Sequence, residues 1–310
     1  MDQDDLGVSS EVAAWVTRRL GSAPAVTLFE VAHLSVVTAL RLEDGRELVV
    51  KTRRGLRRAR ACVAGQAALH ADGFACPRPL TAVEEVGGLA VHAESYVPGG
   101  GHLVGTGPEV TDAFAVLLAD LIARARRLGV PRPEPAPLWL AWDHPGPGSW
   151  PALEEPPPHP HAVDGAEWLT EVVTRLRRRL DSVNLDEVVG HGDWENQNMA
   201  WDSPGQIRVV HDWDSLTTRP EAALAGAAAA TFATGDQPVL APLDASERFL
   251  ATYQQATGRS FTKEEVQVAW AAGLWLAVHN ARMELLYDRQ PVVLQAVAAQ
   301  ADERLRRAAA

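Results

Sequence analysis

Asp193 and Asn198 stand five residues apart in Val188-Val-Gly-His-Gly-Asp-Trp-Glu-Asn-Gln-Asn-Met-Ala-Trp201. Asp212 follows Asn198 by fourteen residues, in Val209-Val-His-Asp-Trp-Asp214. A carboxylate, a neutral amide oxygen and a second carboxylate are what phosphoryl transfer asks of a protein. One carboxylate orients the attacking hydroxyl and accepts its proton, while hard oxygen ligands hold Mg²⁺ against the phosphates. Asp193 suits the first task; Asn198 and Asp212 suit the second.

A cation for the phosphates is the missing part. The chain holds two lysines, Lys51 and Lys263, against 27 arginines, so most cationic positions are filled by arginine. Lys51 ends the run Glu47-Leu-Val-Val-Lys51, where a compact ammonium would reach phosphate oxygens that arginine's broad fork would meet differently.

Together these residues resemble the aminoglycoside phosphotransferase and choline kinase group. The pattern H-G-D-x-x-x-x-N is matched by His191, Gly192, Asp193 and Asn198, and the later D-W-[DE] by Asp212-Trp213-Asp214. The resemblance covers roughly residues 25 to 290. It implies that Asp193 is the catalytic base, that His191 and Gly192 support its loop, and that Asn198 and Asp212 bind Mg²⁺. It implies that Lys51 and Ser35 contact the phosphates of ATP or GTP, and that Glu94 and Tyr96 lie in the linker that meets the base. Two features depart from the group's pattern. Residues 52–71 contain no acid to pair with Lys51, Gln66 being the nearest substitute. His33-Leu34-Ser35 stands where a glycine-rich turn is expected, although serine-bearing loops occur in the group. The implied fold is α+β and bilobal, kinase-like, with the nucleotide between the lobes. The implied reaction is O-phosphorylation of a small hydroxylated compound, an antibiotic being the leading class. The alternatives are a metabolite kinase acting on choline, homoserine or a sugar, and a non-catalytic nucleotide-binding pseudokinase.

The elements that must position these groups are legible in outline. Thr38–Leu42 and Glu47–Lys51, joined through Asp44-Gly45, read as a hairpin. A basic helix spans about 54–71, stopped by Gly73, and a strand covers 89–96. Pro98-Gly99-Gly100-Gly101 marks the boundary between a β-rich nucleotide-binding lobe, 1–98, and a helical lobe, 99–310, that carries the catalytic loop. Beyond it, Phe114, Leu117, Leu118, Leu121, Ile122 and Leu128 recur at helical spacing, with Thr111 and Asp112 as caps and Gly129 as the stop. Residues 130–161 read as a long ordered loop, its Trp139, Trp142 and Trp150 as packing or a lid edge. Residues 168–180 form a helix, and two or three short strands lie between Val188 and Asp214. Asp244 with Glu247, and Thr262 with Glu265, are capping-box patterns. The alanine run 227–230 reads as a tightly packed helix.

Composition narrows the function classes. A net charge of −11 over 310 residues gives no basic face for nucleic acid. Residues 101–310 hold 18 Lys/Arg against 28 Asp/Glu, an excess suited to focusing a cationic substrate, with Asp214, Trp275, Glu284 and Asp288 as candidate contacts. Cys62 and Cys76 are too few for a disulfide framework and fit no metal spacing; His159-Pro160-His161 does not either. With no basic n-region and no apolar run of about 18 residues, the expectation is a soluble cytoplasmic enzyme without a membrane partner. Nothing in the sequence sets the oligomeric state.

Overall fold

Pleat parity explains the N-terminal third of the chain. The computed structural model describes residues 8–32, 35–153, 156–163 and 166–310. The first elements are α1 (Ser10–Leu20), β1 (Pro24–Ala32), β2 (Val36–Leu42), β3 (Glu47–Arg53), α2 (Leu56–Ala71), β4 (Glu84–Val86) and β5 (Leu89–Ser95). The strands form one antiparallel sheet in the order β1-β2-β3-β5-β4. Successive side chains alternate between its faces. Leu40, Leu42, Leu48, Val50, Val91 and Ala93 therefore share one face, where Val12, Trp15 and Val16 of α1 close a core. Val49 and Lys51 of β3, with His92 and Glu94 of β5, share the other face by register. α1, whose Ser9 caps Val12 N–H, and β1 are additions to the sequence reading. His33 and Leu34 of the expected phosphate loop lie outside the described residues.

The rest of the chain is mainly helical. It continues with α3 (Pro108–Leu128), α4 (Glu167–Asp181), β6 (Glu187–His191), β7 (Met199–Ser203), β8 (Gln206–Val210), β9 (Leu216–Pro220), α5 (Glu221–Thr231), α6 (Leu243–Thr257), α7 (Lys263–Leu286) and α8 (Val292–Ala308). β6 pairs with β9 antiparallel, and β7 with β8 as a hairpin. The architecture is α+β. Two compact units result: Met1–Gly99 with Val130–Glu134 and Val209–Asp214, and Gly100–Gly129 with Pro135–Arg208 and Ser215–Ala310. Among the described residues no helix is long and apolar enough to cross a membrane.

Two expected caps are corrected. α3 begins at Pro108 after Gly107, because proline is pre-set for the first helical position. Thr111 and Asp112 thus lie inside the helix, and Asp112 accepts instead from Arg248 and Thr252. α6 starts after Pro242, so Asp244 and Glu247 make no capping box, whereas Thr262 and Glu265 do. The alanine run is the fully buried α5. It approaches α7 so closely that a Cβ at Gly226 would lie 1.9 Å from Ala269 O. Only glycine allows that contact.

α7 also buries His279, whose Nδ1 has no hydrogen-bond partner among the described residues. Burial, and then the charge of Arg282, lowers its pKa from 6.5 to about 4. The unfolded chain therefore binds one proton more than the folded one between those values, and stability falls as pH drops through that window. At about 1.4 kcal/mol per unit, roughly 3 kcal/mol is lost between pH 7 and pH 4. Urea unfolding of wild type and His279→Gln across this range should show a shallower pH dependence in the variant; parallel curves would contradict the assignment.

Candidate active site

The second unit carries a loop held almost wholly by its backbone. β6 ends at His191, and the chain turns through Gly192 into Asp193. Gly192 N–H donates to Ser215 O at 2.8 Å, while its carbonyl accepts the Trp139 indole N–H at 2.8 Å. A Cβ at Gly192 would meet Leu140 Cδ1 at 2.9 Å, Thr217 Cγ2 at 3.0 Å and Ser215 O at 3.1 Å. Asp193 N–H donates to His191 Nδ1 at 3.2 Å, and the His191 ring packs edge-on against buried Trp194. Trp194 is itself fixed by its N–H to Phe114 O. Further along, Asn196 N–H and Gln197 N–H donate to Phe232 O and Thr234 O. The Asn196 side chain brackets Leu103, accepting from its N–H and donating to its carbonyl.

Asp193 and Asn198 are left partly exposed by this scaffold. Asn198 Nδ2 donates to Asp193 Oδ2 at 2.8 Å and to Asp193 O at 3.0 Å. Committing the amide N–H groups in this way leaves Oδ1 as the Asn198 atom for a cation. Glu195 is buried, and burial first, then the charge of Asp193, pushes its pKa well above the ordinary carboxylate range.

The first unit carries a buried charge cluster. Lys51 is 4% exposed, and its Nζ lies 3.3 Å from Glu94 Oε1. Gln66 of α2 donates from Nε2 to Glu94 Oε2 at 2.8 Å and to Pro77 O at 2.9 Å. Burial works against the Lys51 ammonium, but the carboxylates of Glu94, Asp214 and Asp212 outweigh it and raise its pKa. Segment 209–214 belongs to this unit. Asp214 Oδ1 pairs with Arg53 at 3.3 Å, and its carbonyl accepts from Arg58 at 3.0 Å, Arg53 at 3.4 Å and the Cys62 thiol at 3.6 Å. Burial would raise the Asp214 pKa, yet Lys51 and Arg53 together hold it below the usual value. Asp212 has φ +55°, the left-handed region that aspartate visits more readily than most residues but still at a cost. Two residues on, Arg53, Arg58 and Cys62 anchor the Asp214 carbonyl.

The family model described as the phosphotransferase enzyme family matches residues 33–268. The chain belongs to that family. No curated protein matches it. Among solved structures it is similar to the amicoumacin kinase hAmiN in complex with AMP-PNP, Ca²⁺ and Ami. Identity there is 10%, the match covers 90% of this chain and 87% of that one, and the TM-score is 0.59. It is similar to an aminoglycoside phosphotransferase from Alicyclobacillus acidocaldarius at 14% identity, covering 94% of each chain, with a TM-score of 0.53. It is also similar to a macrolide 2'-phosphotransferase type I at 17% identity, covering 94% and 97%, with a TM-score of 0.55.

In this member of the phosphotransferase enzyme family, several of the expected site residues have structural duties. Glu94 turns its side chain to Lys51 rather than lying open in a linker. Tyr96 is half-buried, its ring against Phe29, and Ser35 is half-buried just before β2. Of the substrate candidates, Asp214 is buried in its arginine pairing. Trp275 is 1% exposed and packs edge-on against Trp142. Glu284 accepts from Val293 and Leu294 N–H, both at 2.8 Å, and so caps α8. Asp288 is exposed past the end of α7, at φ +50°. Sequence reasoning missed Trp139 as a clamp on Gly192, and Arg53 and Arg58 as anchors of Asp214. For Arg53 a signal existed: it follows Lys51 by two residues, hence shares its face of β3.

The tightness around Gly192 gives a test. Gly192→Ala forces a methyl against Ser215 O, and overpacking of this sort costs about 1–3 kcal/mol. Thermal unfolding should detect that loss together with a fall in turnover; an unchanged melting temperature and rate would mean the loop is not fixed as described.

Proposed function

We propose that the chain is a small-molecule O-phosphotransferase that moves the γ-phosphoryl group of ATP or GTP to a substrate hydroxyl, with Mg²⁺. The observation that carries this reading is the clamp of Asn198 on Asp193, on a loop whose peptides are pinned to neighbouring backbone. Catalysis of phosphoryl transfer is chiefly positioning and electrostatics, and a carboxylate held in one orientation is what such a reaction needs.

Asp193 would orient the acceptor hydroxyl and take its proton. Lys51 would present a compact positive charge to the nucleotide phosphates. The donors proposed for the metal, the Asp212 carboxylate and Asn198 Oδ1, are hard oxygens. That set fits Mg²⁺, which usually takes one or two carboxylates and completes its shell with phosphates and waters. Bound Mg²⁺ would neutralise charge on the phosphates. The nucleotide-bound amicoumacin kinase supports a nucleotide co-substrate. The acceptors named for the similar structures support a hydroxylated antibiotic as the substrate class.

Asp193→Asn keeps the shape and the partner Asn198 while removing the proton acceptor. It should leave nucleotide affinity nearly intact and lower kcat by about 10²–10⁴, the span usual for a general base. Steady-state kinetics with titration of nucleotide binding reads both quantities. Turnover equal to wild type would remove Asp193 from the reaction.

A further inference from the structure

α2 offers Lys51 no carboxylate. Residues 52–71 hold no acid, and the α2 side chain bonded to Glu94 is the amide of Gln66, 0% exposed. Its Nε2 is spent on Glu94 Oε2 and Pro77 O, and its Oε1 has no hydrogen-bond partner among the described residues. The carboxylate comes instead from the sheet. β3 and β5 run antiparallel with Lys51 opposite His92 and Val49 opposite Glu94, so Glu94 is the diagonal neighbour of Lys51 on the same face. Diagonal neighbours are within reach of long side chains. One Glu94 oxygen therefore meets the ammonium at 3.3 Å while the other takes the α2 amide at 2.8 Å.

We infer that Glu94 and Gln66 together are the positioning device for Lys51. Glu94 sets where the ammonium sits and keeps it charged, and Gln66 fixes the rotamer of Glu94. α2 thus governs Lys51 through a neutral hydrogen bond relayed by a strand carboxylate. His92, opposite Lys51 in the register, is buried on the same face. The inference rests on the reading of Lys51 as the phosphate-directed cation. It gives Glu94 a task other than base recognition, and it supplies the carboxylate partner that residues 52–71 lack.

The test is a set of variants assayed for nucleotide KM, acceptor KM, kcat and melting temperature. Lys51→Ala is the control for the underlying reading and should raise nucleotide KM. Glu94→Gln should raise nucleotide KM or lower kcat by about 10- to 100-fold, the scale of an ångström-sized misplacement of a catalytic group, with acceptor KM little changed. Glu94→Asp, which keeps the charge on a shorter stem, covers the case in which Glu94→Gln does not fold; it should show a smaller loss of the same kind. The exchange Gln66→Glu with Glu94→Gln returns one carboxylate and one amide to the pair and should recover most of the loss. A nucleotide KM and kcat within about twofold of wild type in both Glu94 variants, with Lys51→Ala impaired, would overturn the inference and leave the Lys51 reading standing. A lowered melting temperature with unchanged kinetics would overturn it too, as a purely structural role. Normal nucleotide affinity in Lys51→Ala would overturn both.

Discussion

A lysine ammonium buried in a β-sheet has to be matched, and that requirement organises the first unit. Unit charges about 4 Å apart attract by about 4 kcal/mol at an effective dielectric near 20, while taking each from water costs several kcal/mol. Lys51 and Glu94, 4% and 3% exposed in their side chains, therefore gain little net stability from each other. Losing either partner would be costly. Such a pair is retained for where it puts a charge. The surrounding groups obey the same constraint: Gln66 satisfies the second oxygen of Glu94, and Arg53 and Arg58 hold Asp214 and its carbonyl. Asp212 keeps its left-handed backbone within that anchored segment.

The second unit solves a different problem, the placement of a carboxylate on a turn. Here backbone hydrogen bonds do the placing. Gly192 is bonded on both sides of its peptide, Asn196 and Gln197 are tied to the segment after α5, and His102 Nδ1 lies 2.9 Å from Asn196 O and 3.1 Å from Met199 O. Below the loop, glycine and alanine let α5 and α7 approach at backbone distance, a packing that tolerates little movement. A rigid bed of this kind keeps Asp193 and Asn198 in register while leaving both partly exposed.

What the sequence made legible follows from the range of each interaction. Asp193 and Asn198 lie five residues apart, so one local turn brings them together and the spacing alone carries the information. The hairpin, the basic helix and the Thr262–Glu265 box were likewise local. The partner of Lys51 was not, because it required the β3–β5 register and an amide acting through a carboxylate 28 residues away. The following helix carries no acid. Thr111 and Asp112 are good cap types, yet Pro108 at the first position decides where α3 begins. Glu284 and Trp275 had the chemistry of substrate contacts, but the packing of α7 against α8 and Trp142 uses them. Residue type could not reveal that.

The central claim is transfer of a phosphoryl group to a hydroxyl, and ³¹P NMR watches it directly. Protein, MgATP or MgGTP and each of a panel of hydroxylated antibiotics would be incubated together and followed over time. A phosphomonoester resonance should grow with one acceptor in step with nucleoside diphosphate, and it should be absent when Mg²⁺ is chelated. Persistence of the triphosphate with every acceptor, or release of inorganic phosphate alone at the uncatalysed rate, would contradict the account.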